Sequence, residues 1–153
     1  MATIACMAFF VSCDRDNVGH TGDQTGNLYG VWELDTRTEI TKDSQGKEVR
    51  KEVDYTDVHF FLSLSEPRTA IAKKGSFTQL DLKNVDVDAA TFAYNETKNQ
   101  ISFSKLLGLY KGLDYRMELI GTFDVLELTE KKLVLQQEVL GVKVIYSYHR
   151  HQF

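Results

Sequence analysis

Proline is nearly absent: Pro67 is the only one in 153 residues, which excludes Pro-rich linkers and extended polyproline segments. Cysteine occurs twice, at Cys6 and Cys13, too few for the disulfide framework that staples small secreted domains. An excess of positive charge is missing too. Lys and Arg number 18 against 22 Asp and Glu, for a net charge of −4, and the basic residues are scattered, so nucleic acid has no electrostatic footprint here. No apolar run reaches the roughly 20 residues a membrane-spanning helix needs. Nor does any window of about 12 residues carry a capped helical period of about 3.6. What is present is 42% hydrophobic and 26% charged residues, the balance of a globular chain long enough to bury one core without disulfide or metal.

The first 13 residues, Met1-Ala2-Thr3-Ile4-Ala5-Cys6-Met7-Ala8-Phe9-Phe10-Val11-Ser12-Cys13, carry no charge, and Asp14-Arg15-Asp16 then opens a polar stretch. An apolar run of this length with so sharp an edge fits the apolar region of a signal peptide. The basic residues that ordinarily precede such a run are expected from a start upstream of Met1. Phe10-Val11-Ser12-Cys13 resembles the lipobox of bacterial lipoproteins, with Phe10 where leucine is usual. The resemblance implies a signal peptide over 1–12 and lipidation of Cys13, whose thiol takes up diacylglycerol at the membrane surface. The alternative is that residues 4–12 form a buried strand and Cys13 is a core thiol. Residues 13–29 then comprise the acylated cysteine and a tether rich in Gly, Asn and Asp. Such a segment spans on the order of 20–25 Å root mean square. The acidic residues Asp14 and Asp16 resemble the surface-export pattern of Bacteroidetes lipoproteins.

From Gly30 to Phe153 the dominant period is two, with β-branched and aromatic residues enriched. The first run sets Trp32, Leu34, Thr36, Thr38 and Ile40 against Glu33, Asp35, Arg37 and Glu39. The second sets Val58, Phe60, Leu62 and Leu64 against His59, Phe61 and Ser63. Shorter candidates are Arg68 to Lys73 and Phe77 to Leu82. Ala90 to Tyr94 pairs with Gln100 to Lys105 across a five-residue turn. Leu106 to Tyr110, Tyr115 to Ile120, Thr122 to Leu128, Lys132 to Leu140 and Lys143 to Arg150 complete the set, and Lys105 to Leu113 offers one short helical turn. Between Val125 and Leu126 the apolar phase slips by one residue, the mark of a β-bulge. Together these predict an all-β fold, an antiparallel up-and-down meander closing into an eight- or nine-stranded barrel.

Leu28-Tyr29-Gly30-Val31-Trp32-Glu33-Leu34 resembles the Gly-x-Trp opening of lipocalins. The run from Gly121 to Leu135 is similar to the late hairpin of lipocalin-like lipoproteins from Bacteroidetes. The resemblance implies that Trp32, entered through Gly30, closes the barrel floor beneath a late arginine, for which Arg150 is the match. It further implies an outer-membrane lipoprotein of the bacterial cell envelope, periplasmic or surface-exposed, held by its lipid anchor.

Chemistry-bearing motifs are few. His149-x-His151 has a chelating spacing on one strand face, but no third ligand is identifiable and the pair reads as solvated; His59 reads as a surface residue. Asp81, Asp86 and Asp88 lack the glycine and terminal glutamate of a calcium loop. Activated nucleophile, Gly-rich phosphate loop and cofactor motif are all absent, so the reading is non-catalytic, with no cofactor and no metal. Trp32, Phe60, Phe92, Tyr94, Phe103, Phe123, Tyr146 and Tyr148 have the parity to face inward. They either fill a small barrel or line a cavity. Of these, Tyr146, Tyr148, Phe60, Phe92, Tyr94 and Phe103 are the candidate ligand contacts. The leading expectation is a tethered barrel binding a small apolar or amphipathic molecule or an envelope partner. The alternative is an interaction module with a filled core, such as a lipoprotein subunit or inhibitor.

Overall fold

A computed structural model describes residues 26–66, 68–74, 87–110 and 114–151. Among these residues every regular element is a strand: β1 (Gly30–Lys42), β2 (Glu48–Asp54), β3 (Phe60–Ser65), β4 (Thr69–Lys74), β5 (Val87–Asn95), β6 (Gln100–Tyr110), β7 (Tyr115–Leu128), β8 (Lys132–Val139) and β9 (Val142–Arg150). All pairings are antiparallel. The order is β9-β8-β7-β6-β5-β4-β3-β1-β2, and β9 also pairs with β1. Eight strands therefore form a closed ring, with β2 as one extra strand beside β1. Closure provides every ring strand with two ladders over at least part of its length and removes most of the edge that an open sheet exposes.

One edge of β1 is shared. Its first residues pair with β3, Glu33 opposite Phe61, and from Thr36 onward it pairs with β2, Thr36 opposite Asp54. Tyr55 to His59 make the crossing between the two partners, and the Tyr55 amide donates to the Asp35 carbonyl at 2.7 Å. On the other edge Tyr148 faces Leu34 while Ser147 faces Thr36. Asp35 is thus the extra residue of a bulge, and it reverses the alternation downstream. Arg37, directly opposite Tyr146, turns inward and is only 8% exposed. This corrects the single apolar face expected over Trp32 to Ile40: Thr36, Thr38 and Ile40 leave the inner face after Leu34. The bulge expected near Leu126 is present, between Val125 and Glu127. Residues 105–110 belong to β6, so the expected helical turn over Lys105 to Leu113 is not formed by them. A bulge between Phe103 and Leu106 joins what read as two runs. The expected strand Phe77 to Leu82 lies outside the described residues.

The inner face carries one continuous buried cluster. Trp32, Leu34, Phe60, Leu62, Phe92, Ile101, Phe103, Leu106, Met117, Leu119, Phe123, Val125, Leu133, Leu135 and Tyr148 form one buried cluster. A chain of ring contacts crosses it. Phe92 meets Phe103 at 6.4 Å, Phe103 meets Phe123 edge-on at 5.9 Å, and Phe123 meets Tyr146 at 6.2 Å. Such pairs add to the area they bury.

The floor is built around Trp32, fully buried, whose indole Nε1 donates to the Leu28 carbonyl at 3.0 Å. The Arg150 guanidinium lies 4.1 Å from the indole ring centroid. It donates to three carbonyls, those of Glu130 (2.6 Å), Tyr29 (2.9 Å) and Asn27. A Cβ on Gly30, at φ +142°, would collide with that guanidinium, so glycine is required for the close approach. The floor therefore joins the entering chain, the end of β9 and the turn after β7 through one cation. Trp32→Ala is expected to cost about 3–5 kcal/mol, measured by urea unfolding; an unchanged midpoint would place the indole outside the core.

Candidate functional site

The wall of the ring is incomplete at the end away from Trp32. Backbone pairing of β7 with β8 begins only at Asp124, opposite Gln136, although β7 starts nine residues earlier. Its first half keeps β6 on one side, from Gln100–Asp124 to Tyr110–Tyr115, and turns the other edge toward a gap. Unpaired backbone groups there would be costly.

Three side chains take the place of the missing strand. The Tyr55 hydroxyl accepts from the Arg116 amide at 2.8 Å and donates to the Arg116 carbonyl at 3.0 Å. Two residues on, the Tyr146 hydroxyl accepts from the Glu118 amide at 3.0 Å and is 3.2 Å from its carbonyl. Gln137 Nε2 then donates to the carbonyls of Ile120 at 2.7 Å and Thr122 at 3.2 Å. The alternate spacing of Arg116, Glu118, Ile120 and Thr122 is that of groups facing one edge of a strand.

The gap opens as a cleft of about 340 Å³ lined by Arg116, Glu118 and Ile120 on β7, Gln137 and Val139 on β8, and Val142 and Val144 on β9, with the buried Arg37 and Tyr146 at its base. Ile120 and Val139 on its lining are partly open to water, as is Glu118 between them and Arg116, and Leu140, next to Val139 at the tip of the β8–β9 hairpin, is 98% exposed. Leu140 and Gly141 both have positive φ, +53° and +81°, as a two-residue hairpin turn of the type favouring Asn-Gly requires. Leucine is a poor residue for that conformation, and its side chain gains no burial there.

The base of the cleft is a charged network. Arg37 Nε meets the Tyr146 hydroxyl at 3.3 Å, and Arg37 Nη1 pairs with Glu39. Arg116 Nη2 reaches the same Glu39 oxygen at 3.4 Å. The Arg37 hydrogen bond holds the Glu39 carboxyl below its ordinary value, against the effect of burial and with help from Arg116. Tyr148, one step deeper, is fully buried, and burial pushes its phenol well above the usual range. Its hydroxyl has no hydrogen-bond partner among the described residues.

Of the residues singled out in the sequence, Tyr146 alone lines this cleft. Tyr148, Phe60 and Phe103 are sealed in the core. Phe92 and Tyr94 border a separate open groove at the Trp32 end, with Leu28, Tyr29 and Arg68. Cys13, Asp81 and Asp86 lie outside the described residues, and the Asp88 carboxylate accepts from the Leu107 amide at 2.8 Å. Arg37, Glu39, Arg116 and Tyr55 were not anticipated: the Asp35 bulge turns Arg37 and Glu39, the turn after β2 brings Tyr55 across, and Arg116 stays partly exposed on the phase of β7 opposite to the buried Met117 and Leu119.

Glu39 provides a pH test. A carboxylate whose folded pKa is depressed contributes stability above its unfolded value, near 4.5, and that contribution is lost as pH falls through the folded value. Glu39→Gln is expected to lower stability by about 1 kcal/mol at pH 7, discounting for partial exposure. The difference from wild type should vanish in strong acid, as followed by unfolding midpoints at several pH values. A constant difference across that range would mean the ion pair is not the cause. Comparison with family models and with curated proteins finds no match for this chain.

Proposed function

We propose that the domain is a non-catalytic binding barrel, held at a bacterial outer membrane through Cys13, that takes a small amphipathic molecule in the cleft between β7 and β8. The observation that carries this reading is the side-chain bridging of an open wall: apolar Ile120, Val139, Val142 and Val144 share one cleft with polar Arg37, Arg116 and Tyr146. An amphipathic molecule matches both parts, its apolar body against the valines and its polar end toward Arg116. The volume lies near the lower end of small-ligand sites. The polar groups at the base are engaged with one another and with the β7 backbone, which suits binding better than proton transfer. Arg150 over Trp32 agrees with the floor that the lipocalin resemblance implies, and that likeness supports a ligand carrier.

A second reading has its own observation. One continuous buried cluster lines the inner face, and the two most exposed large apolar side chains, Val139 and Leu140, sit together at the β8–β9 hairpin. An interaction module would use that hairpin on a partner protein.

Titration with a fluorescent fatty acid separates the two. The first reading expects saturable, displaceable binding at micromolar concentration, weakened at least about tenfold, or 1.4 kcal/mol, by Ile120→Asp, which changes an exposed side chain. Absent binding, or binding indifferent to that substitution, rejects the cleft and favours the hairpin.

The anchor is tested separately. Each buried methylene contributes about 0.8 kcal/mol and stable anchoring takes two signals, so acylated Cys13 should hold the protein in the membrane fraction and Cys13→Ser should leave it uncleaved or release it. Mass spectrometry finding unmodified Cys13 still joined to residues 1–12 would remove the tether from the account.

A further inference from the structure

The chain has four histidines, and three of them gather on the outer wall near the Trp32 end around one carboxylate. Glu33 lies opposite His149 in the β1–β9 ladder and opposite Phe61 in the β1–β3 ladder. His59 Nδ1 is 3.0 Å from Glu33 Oε2. His149 Nε2 is 3.4 Å, and His151 Nδ1 is 3.9 Å, from Glu33 Oε1. The donors come from three places: the entry to β3, the end of β9 and the segment beyond it.

Two further features bear on what this cluster does. The Asp35 bulge sets that carboxylate 2.6 Å from His149 Nδ1. A carboxylate on one ring nitrogen fixes the tautomer, as it does for metal-bound histidines, and leaves the other nitrogen's lone pair outward. In neutral His149 that nitrogen is Nε2, 3.4 Å from Glu33 Oε1. Bonds of 2.0–2.1 Å in a tetrahedral zinc shell put neighbouring donors about 3.3 Å apart. His59 also holds a left-handed backbone, φ +59°, a conformation a histidine adopts at some cost and one that delivers its ring to Glu33.

We infer that Glu33, His59, His149 and His151 bind a borderline divalent cation of the zinc class on the outer wall, with Asp35 holding His149 from behind. As placed, the donors form no ready cage of three among the described residues, so small side-chain rotations accompany binding. Lys132 stands opposite His149 in the β8–β9 ladder, and its ammonium lies 4.0 Å from Glu127. Phe61 supports the His151 ring edge-on at 5.0 Å. Bound metal would join β1, β3 and β9 at the seam where the barrel closes.

The test is calorimetric titration of zinc chloride into the full chain at pH 7.5, with Cys6→Ser and Cys13→Ser so that no thiol competes. One equivalent should bind at micromolar concentration or tighter and raise the melting temperature. Glu33→Gln and His149→Ala should each weaken binding at least about tenfold, whereas His20→Ala should not. Melting without metal establishes that each variant folds, and Co2+ absorption in the visible region reports imidazole coordination independently of stability. No binding to the parent chain, or equal binding by the His149→Ala and His20→Ala variants, overturns the site and leaves histidine–carboxylate contacts alone as the source of the geometry.

Discussion

One extra residue in the first strand governs both surfaces of this barrel. Without the bulge at Asp35, Thr36 and Thr38 would continue the face begun by Trp32 and Leu34, and Arg37 would point to solvent. With it, Arg37 lies against Tyr146 inside the wall, and the Asp35 carboxylate meets His149 outside. The Asp35 carbonyl also receives the Tyr55 amide, which fixes the loop that sends Tyr55 across to β7. A strand paired on both edges tolerates such an insertion only where its partners can accommodate it, and here one edge changes from β3 to β2 at the same residue.

Burying a guidinium beside a phenol would be unfavourable without compensation. Glu39 supplies the opposite charge, and Arg116 shares it. The two phenols do a different task, satisfying the amides and carbonyls that β8 leaves unpaired along β7. Each hydroxyl can donate and accept, so one side chain serves both backbone groups of a residue. This is how the ring can separate at one end while its lower part stays packed: the buried cluster provides stability, and the bridged opening provides a cleft.

The strands were legible because alternation and turn residues coincide over most of the chain. Trp32, Leu62, Phe123 and Tyr148 face inward as their parity implies. The Leu126 bulge was legible because strongly apolar residues change phase there. The Asp35 bulge was not: Thr36 and Thr38 suit either face, and an arginine gives no sign of being buried until its partner is known. Strand β2, Glu48–Asp54, alternates no apolar face and is exposed almost throughout, so nothing in its composition marked it. The meeting of His59 with His149 depends on the β1–β3 and β1–β9 registers together, which local sequence does not encode.

The direction of the Arg37 side chain is the point on which the cleft and the outer cluster both depend. Nuclear Overhauser contacts to the Tyr146 ring test it most directly, since the methyl groups of Thr36 and Thr38 and the methylenes of Arg37 give separable signals. The bulged strand predicts contacts from the ring to Arg37 and none to either threonine methyl. Contacts to Thr36 or Thr38, with Arg37 free of the ring, would restore unbroken alternation and contradict the account.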